Sequence, residues 1–242
     1  MRISSTHWLL NIPVAHRGLW GGEIVENSLT AYNNAAIHGY AIEIDVYTTK
    51  DGHVVSFHDE TLARLTGADG YVYDKTLAEL KELNLGGTNE KIPTLQEVLD
   101  LVDGRVPLLI EIKTQPDGTI VEKIVEILKN YKGEFALQSF HPIYLIKAKK
   151  LAPNFLRGVL SAKTVVHNSA IKRFIVKNML FNAFIKPDFI SYDYNGLPLK
   201  KRIRKNLPVL AFTVLEEDVA NLIKPFANNI IFEGFLPEIN KQ

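Results

Sequence analysis

Three carboxylates, two histidines and two cations are spaced in this sequence so that they could act on one phosphate. Glu43 and Asp45 lie two apart near the end of one apolar run, and Glu111 lies two before Lys113 at the end of another. Residues two apart in a strand share a face. Glu43 therefore points with Asp45, and Glu111 with Lys113, while Ile44 and Ile112 face the opposite way. Carboxylates crowded at one place raise one another's pKa unless a cation intervenes. Oxygen-only ligation of this kind suits one divalent cation, Mg²⁺ or Ca²⁺. A network of ion pairs with Lys and Arg is the plainer use of such groups, but acidic side chains inside a fold are rare without a role. Arg17 and Lys113 bring positive charge to a phosphodiester, whose negative charge grows in the transition state. His16 and His58 offer one group to activate a nucleophile and one to protonate a leaving alcohol. Gly18 keeps side-chain bulk away from the phosphate.

These residues need elements that bring them together. Short apolar runs recur at Ile12–Ala15, Tyr40–Val46, Val106–Ile112, Phe135–Leu137, Leu156–Leu160, Phe189–Tyr192, Val209–Val214 and Asn229–Phe232. Their density in Ile, Val and Leu predicts parallel strands covered on both faces. Amphipathic stretches alternate with them, at Ser28–His38, Leu95–Val102, Ile120–Tyr131, Ile143–Leu151, Ser169–Ala183, Leu199–Lys205 and Glu216–Phe226. Asn27 is expected to cap the first helix and Gly39 to end it. Strands alternating with helices predict an α/β fold. A doubly wound open sheet would show the same alternation, and eight strands in a chain of this size favour closure into a (β/α)8 TIM barrel, whose active residues stand at the C-terminal strand ends. His16-Arg17-Gly18, Glu43-Ile44-Asp45 and Glu111-Ile112-Lys113 all occupy such ends. One connection is out of proportion, and an inserted subdomain is expected over about residues 47–105. It carries a short strand delivering His58, the turn Lys50-Asp51-Gly52, and Leu77, Leu80 and Leu83 at helical spacing. Apart from that insertion the chain reads as one domain.

Composition narrows the partners. The chain has 242 residues, and 28 Lys and Arg against 27 Asp and Glu give +1. No global field then draws it to nucleic acid, and an anion site must be local. With no Cys, disulfides, thiolate metal sites and a Cys nucleophile are excluded. This fits a reducing, cytoplasmic location, as does the lack of a signal-peptide pattern near Met1. No apolar window is long enough for a transmembrane span. The apolar stretch Ile171–Ile185 carries Lys172, Arg173 and Lys177 and allows transient membrane contact. The remaining histidines (His7, His38, His53, His141 and His167) read as structural or surface groups.

The order of motifs is itself informative. His16-Arg17-Gly18, Glu26-Asn27-Ser28, Glu43-Ile44-Asp45-Val46, Thr49-Lys50-Asp51-Gly52, Val54-Val55-Ser56-Phe57-His58-Asp59 and Leu62-Ala63-Arg64-Leu65-Thr66-Gly67 follow one another almost unbroken. Ile92-Pro93-Thr94-Leu95, Glu111-Ile112-Lys113 and Ser139-Phe140 continue the series. This set resembles the glycerophosphodiester phosphodiesterase family over essentially the whole chain. The resemblance implies a barrel with a small subdomain after strand two. It implies His16 and His58 as acid–base pair, Glu43, Asp45 and Glu111 as metal ligands, and Arg17 and Lys113 as phosphate-binding cations. The implied reaction hydrolyses a glycerophosphodiester, the small-molecule substrate, to glycerol 3-phosphate and an alcohol. Two places depart from the family pattern: Phe212-Thr213 stands where Trp-Thr is common, and Phe232-Glu233-Gly234 where Thr-Asp is common. Both bear on leaving-group specificity. Related activities compete with this reading. A sphingomyelinase D-like enzyme is disfavoured by the lack of Cys. A lysophospholipase D-like phosphodiesterase and a non-catalytic phosphate-binding barrel are the alternatives.

Overall fold

The computed structural model describes residues 3–163 and 179–239. Eight parallel strands close on themselves: β1 (Val14–Ala15), β2 (Ala41–Thr48), β4 (Leu108–Ile112), β5 (Phe135–Ser139), β6 (Leu156–Ser161), β7 (Phe189–Asp193), β8 (Val209–Val214) and β9 (Asn229–Phe232). Closure is seen at β1, where Val14 pairs with Ala41 of β2 and with Ile231 of β9. The ninth strand, β3 (Val54–Ser56), runs antiparallel along the far end of β2, with Val46 opposite Ser56 and Thr48 opposite Val54. Each apolar run identified in the sequence is a barrel strand, so the expected (β/α)8 barrel is the fold.

The alternation of side chains gives the barrel two cores. Ile42, Ile44, Leu108, Ile110 and Ile112 face outward and pack under the helices Leu29–Ile37, Leu95–Val102 and Ile120–Leu128. Val14, Ala41, Leu109, Ala136, Phe189, Leu210 and Ile231 fill the interior. Ile3, Trp8 and Leu9 close this inner cluster from below. Each such buried Ile, Leu or Phe contributes about 1.5–3 kcal/mol. Two residues further along the same inward columns the chemistry changes. Ala41 is followed by Glu43 and Asp45, Leu109 by Glu111 and Lys113, and Ala136 by Gln138, and these carboxylates and Gln138 are buried. An apolar floor therefore lies directly beneath a polar mouth.

One local expectation needs correction. Ser28, rather than Asn27, caps the helix Leu29–Ile37, its hydroxyl accepting from Ala31 N–H at 3.1 Å. Asn27 instead takes a left-handed backbone, φ 54°, and turns its side chain into the mouth. Within the connection from β2 to β4, Tyr47, Val55, Phe57, Leu62, Val72, Leu80, Leu85 and Ile92 form a separate small core. The helix Leu95–Val102 packs with the barrel's helical layer, so the part with its own core ends at Ile92. The helical stretch expected from Ser169 falls largely outside the described residues, as do His167, Lys172, Arg173 and Lys177. Among the described residues no helix is long and apolar enough to cross a membrane.

The barrel floor has no spare room at Gly158. A Cβ there would overlap the ring of Phe189, which is fully buried and surrounded. Gly158→Ala should lower the urea midpoint by an amount equivalent to about 2 kcal/mol or more, the scale of overpacking in a filled core. An unchanged midpoint would mean that the Phe189 ring can move aside.

Candidate active site

The mouth is assembled from strand ends and from β3. His16 and Arg17 follow β1 directly, and His16 N–H donates to Phe232 O of β9 at 2.9 Å. Arg17 has φ 59° and Gly18 φ 83°, so the chain turns sharply here. A Cβ on Gly18 would come within 2.8 Å of the Ala31 backbone, a close approach that only glycine permits. The turn aims Arg17 N–H at Glu43 Oε2, 3.1 Å away. His58 arrives from the other side. β2 runs past the barrel rim, β3 pairs with that overhang, and Phe57 N–H donates to Asp45 O at 3.1 Å. His58 and His16 thus stand at the same end of the barrel, beside one carboxylate cluster.

Glu43, Asp45 and Glu111 are all buried, and one oxygen from each lies within 4.8 Å of the others. Burial, with the charges of Asp45 and Glu111, pushes the Glu43 carboxyl well above its usual range. Burial also opposes ionisation of Asp45, but Lys113, His58, Arg17 and His16 hold it well below the usual carboxylate range. Lys113 Nζ sits 3.3 Å from Asp45 Oδ1 and 3.0 Å from Glu111 Oε1. Burial works against that ammonium, and Asp45 and Glu111 more than restore it, so its pKa is raised. Asn27 Nδ2 donates to Asp45 Oδ2 at 3.2 Å, and Asn27 Oδ1 accepts from Tyr32 at 2.7 Å. These bonds hold the cluster by its rear. An all-oxygen group of this size fits a hard divalent cation, with Glu43, Asp45 and Glu111 as the residues that could hold it.

Each histidine is gripped by a carboxylate at Nδ1. His58 Nδ1 lies 2.7 Å from Asp59 Oδ1, and His16 Nδ1 lies 2.8 Å from Glu233 Oε2. An ionised carboxylate only accepts, so Nδ1 carries the proton in both rings. Nε2 of each ring is then left for chemistry. Burial lowers the His58 pKa, and Lys113 and Arg17 add to that against the pull of Asp45 and Asp59. Asp59 belongs to a chain of ion pairs. Arg64 Nε donates to Asp59 Oδ2 at 2.5 Å, and its two Nη groups reach Glu26 at 3.0 and 2.6 Å. Glu26 Oε1 accepts in turn from Arg17 Nη1 at 2.8 Å, and Arg17 Nε is 3.6 Å from Asp45 Oδ2. The chain runs from His58 to Arg17 through the small subdomain and back.

All seven residues singled out from the sequence meet at this mouth. Glu233 was not foreseen as a partner of His16. It was visible only as a departure after β9, and nothing local in the sequence says that β9 closes beside β1. The roles of Glu26, Asn27 and Arg64 were likewise hidden, although all three lie in the quoted motifs. Phe212 takes the place expected for Trp, and its ring meets that of Phe140 edge-on, with centroids 6.1 Å apart. The two form an aromatic wall at the rim.

Comparison with known proteins agrees with this geometry. The model of the glycerophosphoryl diester phosphodiesterase family matches residues 16–232. A glycerophosphodiester phosphodiesterase of Caldanaerobacter subterraneus is 38% identical over 162 residues, covering 61% of this chain and 65% of that protein. One of Bacillus subtilis is 35% identical over 168 residues, covering 59% and 57%. The alignments thus span roughly three fifths of these relatives' length. Among solved structures, a phosphodiesterase of Oleispira antarctica in complex with the product sn-glycerol-3-phosphate superposes with a TM-score of 0.75 at 28% identity, covering 93% of both chains.

The ion-pair chain should show in the acid limb of stability. Burial alone would raise the Glu26 pKa, but hydrogen bonds and charge from Arg64 and Arg17 lower it. Burial would likewise raise Asp59, but hydrogen bonds and charge from Arg64 and His58 lower it. A carboxylate with a lowered folded pKa contributes stability that is complete above its unfolded value and lost as pH falls through the folded one. Arg64→Leu should therefore cost about 1–2 kcal/mol at neutral pH, since Arg64 is half exposed. It should also flatten the decline below about pH 4.5. Urea unfolding at a series of pH values measures both. An acid limb parallel to that of the parent protein would remove these pairs as a source of stability.

Proposed function

The chain belongs to the glycerophosphoryl diester phosphodiesterase family, and we propose that it hydrolyses glycerophosphodiesters to glycerol 3-phosphate and an alcohol with the help of one divalent cation. The observation that supports this best is the buried three-carboxylate group of Glu43, Asp45 and Glu111, flanked by two imidazoles that are each held at Nδ1. Mg²⁺ or Ca²⁺ on the carboxylates would supply Lewis-acid stabilisation of the phosphate oxygens and relieve the repulsion that raises Glu43.

The protein's own groups divide the remaining work. The Arg17 guanidinium and Lys113 ammonium bind the phosphoryl oxygens and offset the charge that accumulates on them. His58, kept neutral at pH 7 by its lowered pKa, accepts a proton at Nε2 from the attacking water, whose oxygen bonds to phosphorus. As the P–O bond to the alcohol breaks, His16 gives the proton on Nε2 to the departing oxygen. Glu233 orients His16, and Asp59 orients His58. The aromatic wall of Phe140 and Phe212 favours a second version of the same reaction, a lysophospholipase D-like activity in which the leaving group or glycerol substituent is apolar.

Two measurements bear on this reading. Millimolar Mg²⁺ or Ca²⁺ should raise the melting temperature by several degrees, because an ion bound only by the folded state stabilises it. Asp45→Asn should abolish that shift, and turnover should cease in excess chelator. A shift that survives in Asp45→Asn would place the ion elsewhere.

The histidines separate by leaving group. His16→Ala and His58→Ala should each lower turnover of glycerophosphodiesters about 10²–10⁴-fold. A phosphodiester with an acidic phenol as leaving group should rescue His16→Ala in part and leave His58→Ala slow. Phosphorus NMR of the products, over a panel with short polar and long acyl substituents, identifies the preferred substrate. Equal losses on both kinds of leaving group would contradict the division of roles, and no turnover of any diester would defeat the proposal as a whole.

A further inference from the structure

The net charge of +1 conceals a separation of charge. Residues 141–163 and 179–205 hold 11 of the 28 Lys and Arg but only 2 of the 27 Asp and Glu. In the fold these residues form one sector of the barrel wall, outside β5, β6 and β7. The helices Pro142–Leu151, Asn182–Ile185 and Lys201–Arg204 share a single apolar cluster through Leu145, Ile185 and Ile203. Lys149 Nζ also donates to Phe184 O at 2.7 Å, which ties the first two of these helices together. Among the described residues, the exposed cations Lys150, Lys186, Lys200, Lys201, Arg202 and Lys205 form no ion pair, while Lys147 reaches Glu122 of the neighbouring helix.

Charge is not the sector's only unusual feature. Leu151, Leu180 and Phe184 stand among these cations with their side chains in solvent, Phe184 at 64% exposure. Ile185, the next residue, is fully buried, so the segment has one face turned into the wall and another turned out. A face built only to keep a protein soluble has no use for an exposed phenylalanine between lysines. A surface carrying fixed negative charge above an apolar layer satisfies both groups. Lysines meet the charge, and Leu and Phe enter the layer beneath. Nucleic acid would engage the cations and leave the apolar side chains uncovered. We propose that this sector docks the protein on the surface of an anionic phospholipid bilayer. The sector continues to the barrel mouth through Phe140, which is exposed at the end of β5, so docking brings the aromatic wall beside the lipid surface. The proposal stands apart from the catalytic reading, since none of these cations belongs to the site.

Sedimentation of the purified full chain with vesicles tests it. The protein should pellet with phosphatidylcholine vesicles carrying about a third phosphatidylglycerol and stay in solution with pure phosphatidylcholine. Binding should be lost as salt rises toward about 0.5 M, where screening shortens the reach of exposed charges. Combined Lys201→Glu, Arg202→Glu and Lys205→Glu substitutions should weaken binding at least about tenfold. Phe184→Ser should weaken it about threefold or more, by removing the apolar anchor. A milder set, Lys150→Gln with Lys186→Gln, should give an intermediate loss and guards against misfolding by charge reversal. Thermal melts of each variant establish that the fold is kept. Equal binding to neutral and anionic vesicles, or binding to neither at low salt, overturns the proposal. So does tighter binding to a short DNA duplex than to the anionic vesicles, with Phe184→Ser having no effect on either.

Discussion

Three carboxylates share one buried place at the mouth of this barrel, with ligand oxygens within 4.8 Å of one another. At that distance, and an effective dielectric of about 20, each pair of ionised groups repels by roughly 3 kcal/mol. Much of the surrounding structure answers that repulsion. Lys113 lies across Asp45 and Glu111, Arg17 brings its backbone N–H to Glu43 and its guanidinium to Asp45, and Asn27 donates to Asp45 from behind. Arg17 and Asn27 both take left-handed backbone conformations to do so, at a cost of about 1 kcal/mol or more each. The unequal outcome, Glu43 raised and Asp45 lowered, reflects which carboxyl the cations reach first. Such a cluster stores electrostatic energy that a bound divalent cation would release.

The apolar floor makes this arrangement possible and also sharpens it. Phe189, Leu210, Ile231 and their neighbours keep water from the underside of the carboxylates. Gly158 is a consequence of that filling, because the Phe189 ring occupies the space a side chain would need. The same strands thus supply a rigid base and, two residues later, the reactive rim. A barrel places strand ends in a ring, so groups far apart in sequence converge without any one loop having to be long.

One group does not come from a barrel strand end. β2 continues for several residues beyond the rim, and β3 folds back along it, so that the loop carrying His58 is bonded directly to the backbone of Asp45. The small core around Phe57, Leu62 and Leu80 holds that hairpin up. Arg64 then ties it to Glu26 and, through it, to Arg17. The His58 side of the site therefore depends on packing in the small subdomain, while the His16 side depends on barrel closure, which brings Glu233 to its ring.

The residue types and their period were enough to define the eight strands and the carboxylates at their ends, because strand alternation is local and the carboxylates break an otherwise apolar pattern, whereas His58 drew its weight from the groups that accompany it. The sequence by itself also carried the uneven distribution of Lys and Arg, but not its meaning, since only the fold packs the helices Pro142–Leu151, Asn182–Ile185 and Lys201–Arg204 on one shared apolar cluster. Other features lay beyond local patterns altogether. Ser28 and Asn27 are both good caps by type, and it was the pull of Asp45 on Asn27 that decided between them. The Glu233 contact with His16 spans 217 positions and exists only because β9 closes against β1. The chain from His58 through Arg64 to Arg17 likewise needs the small core after β2 and the barrel mouth to meet. Local periodicity determines which elements form, whereas partners at this distance are chosen by closure and packing, which no short stretch of sequence encodes.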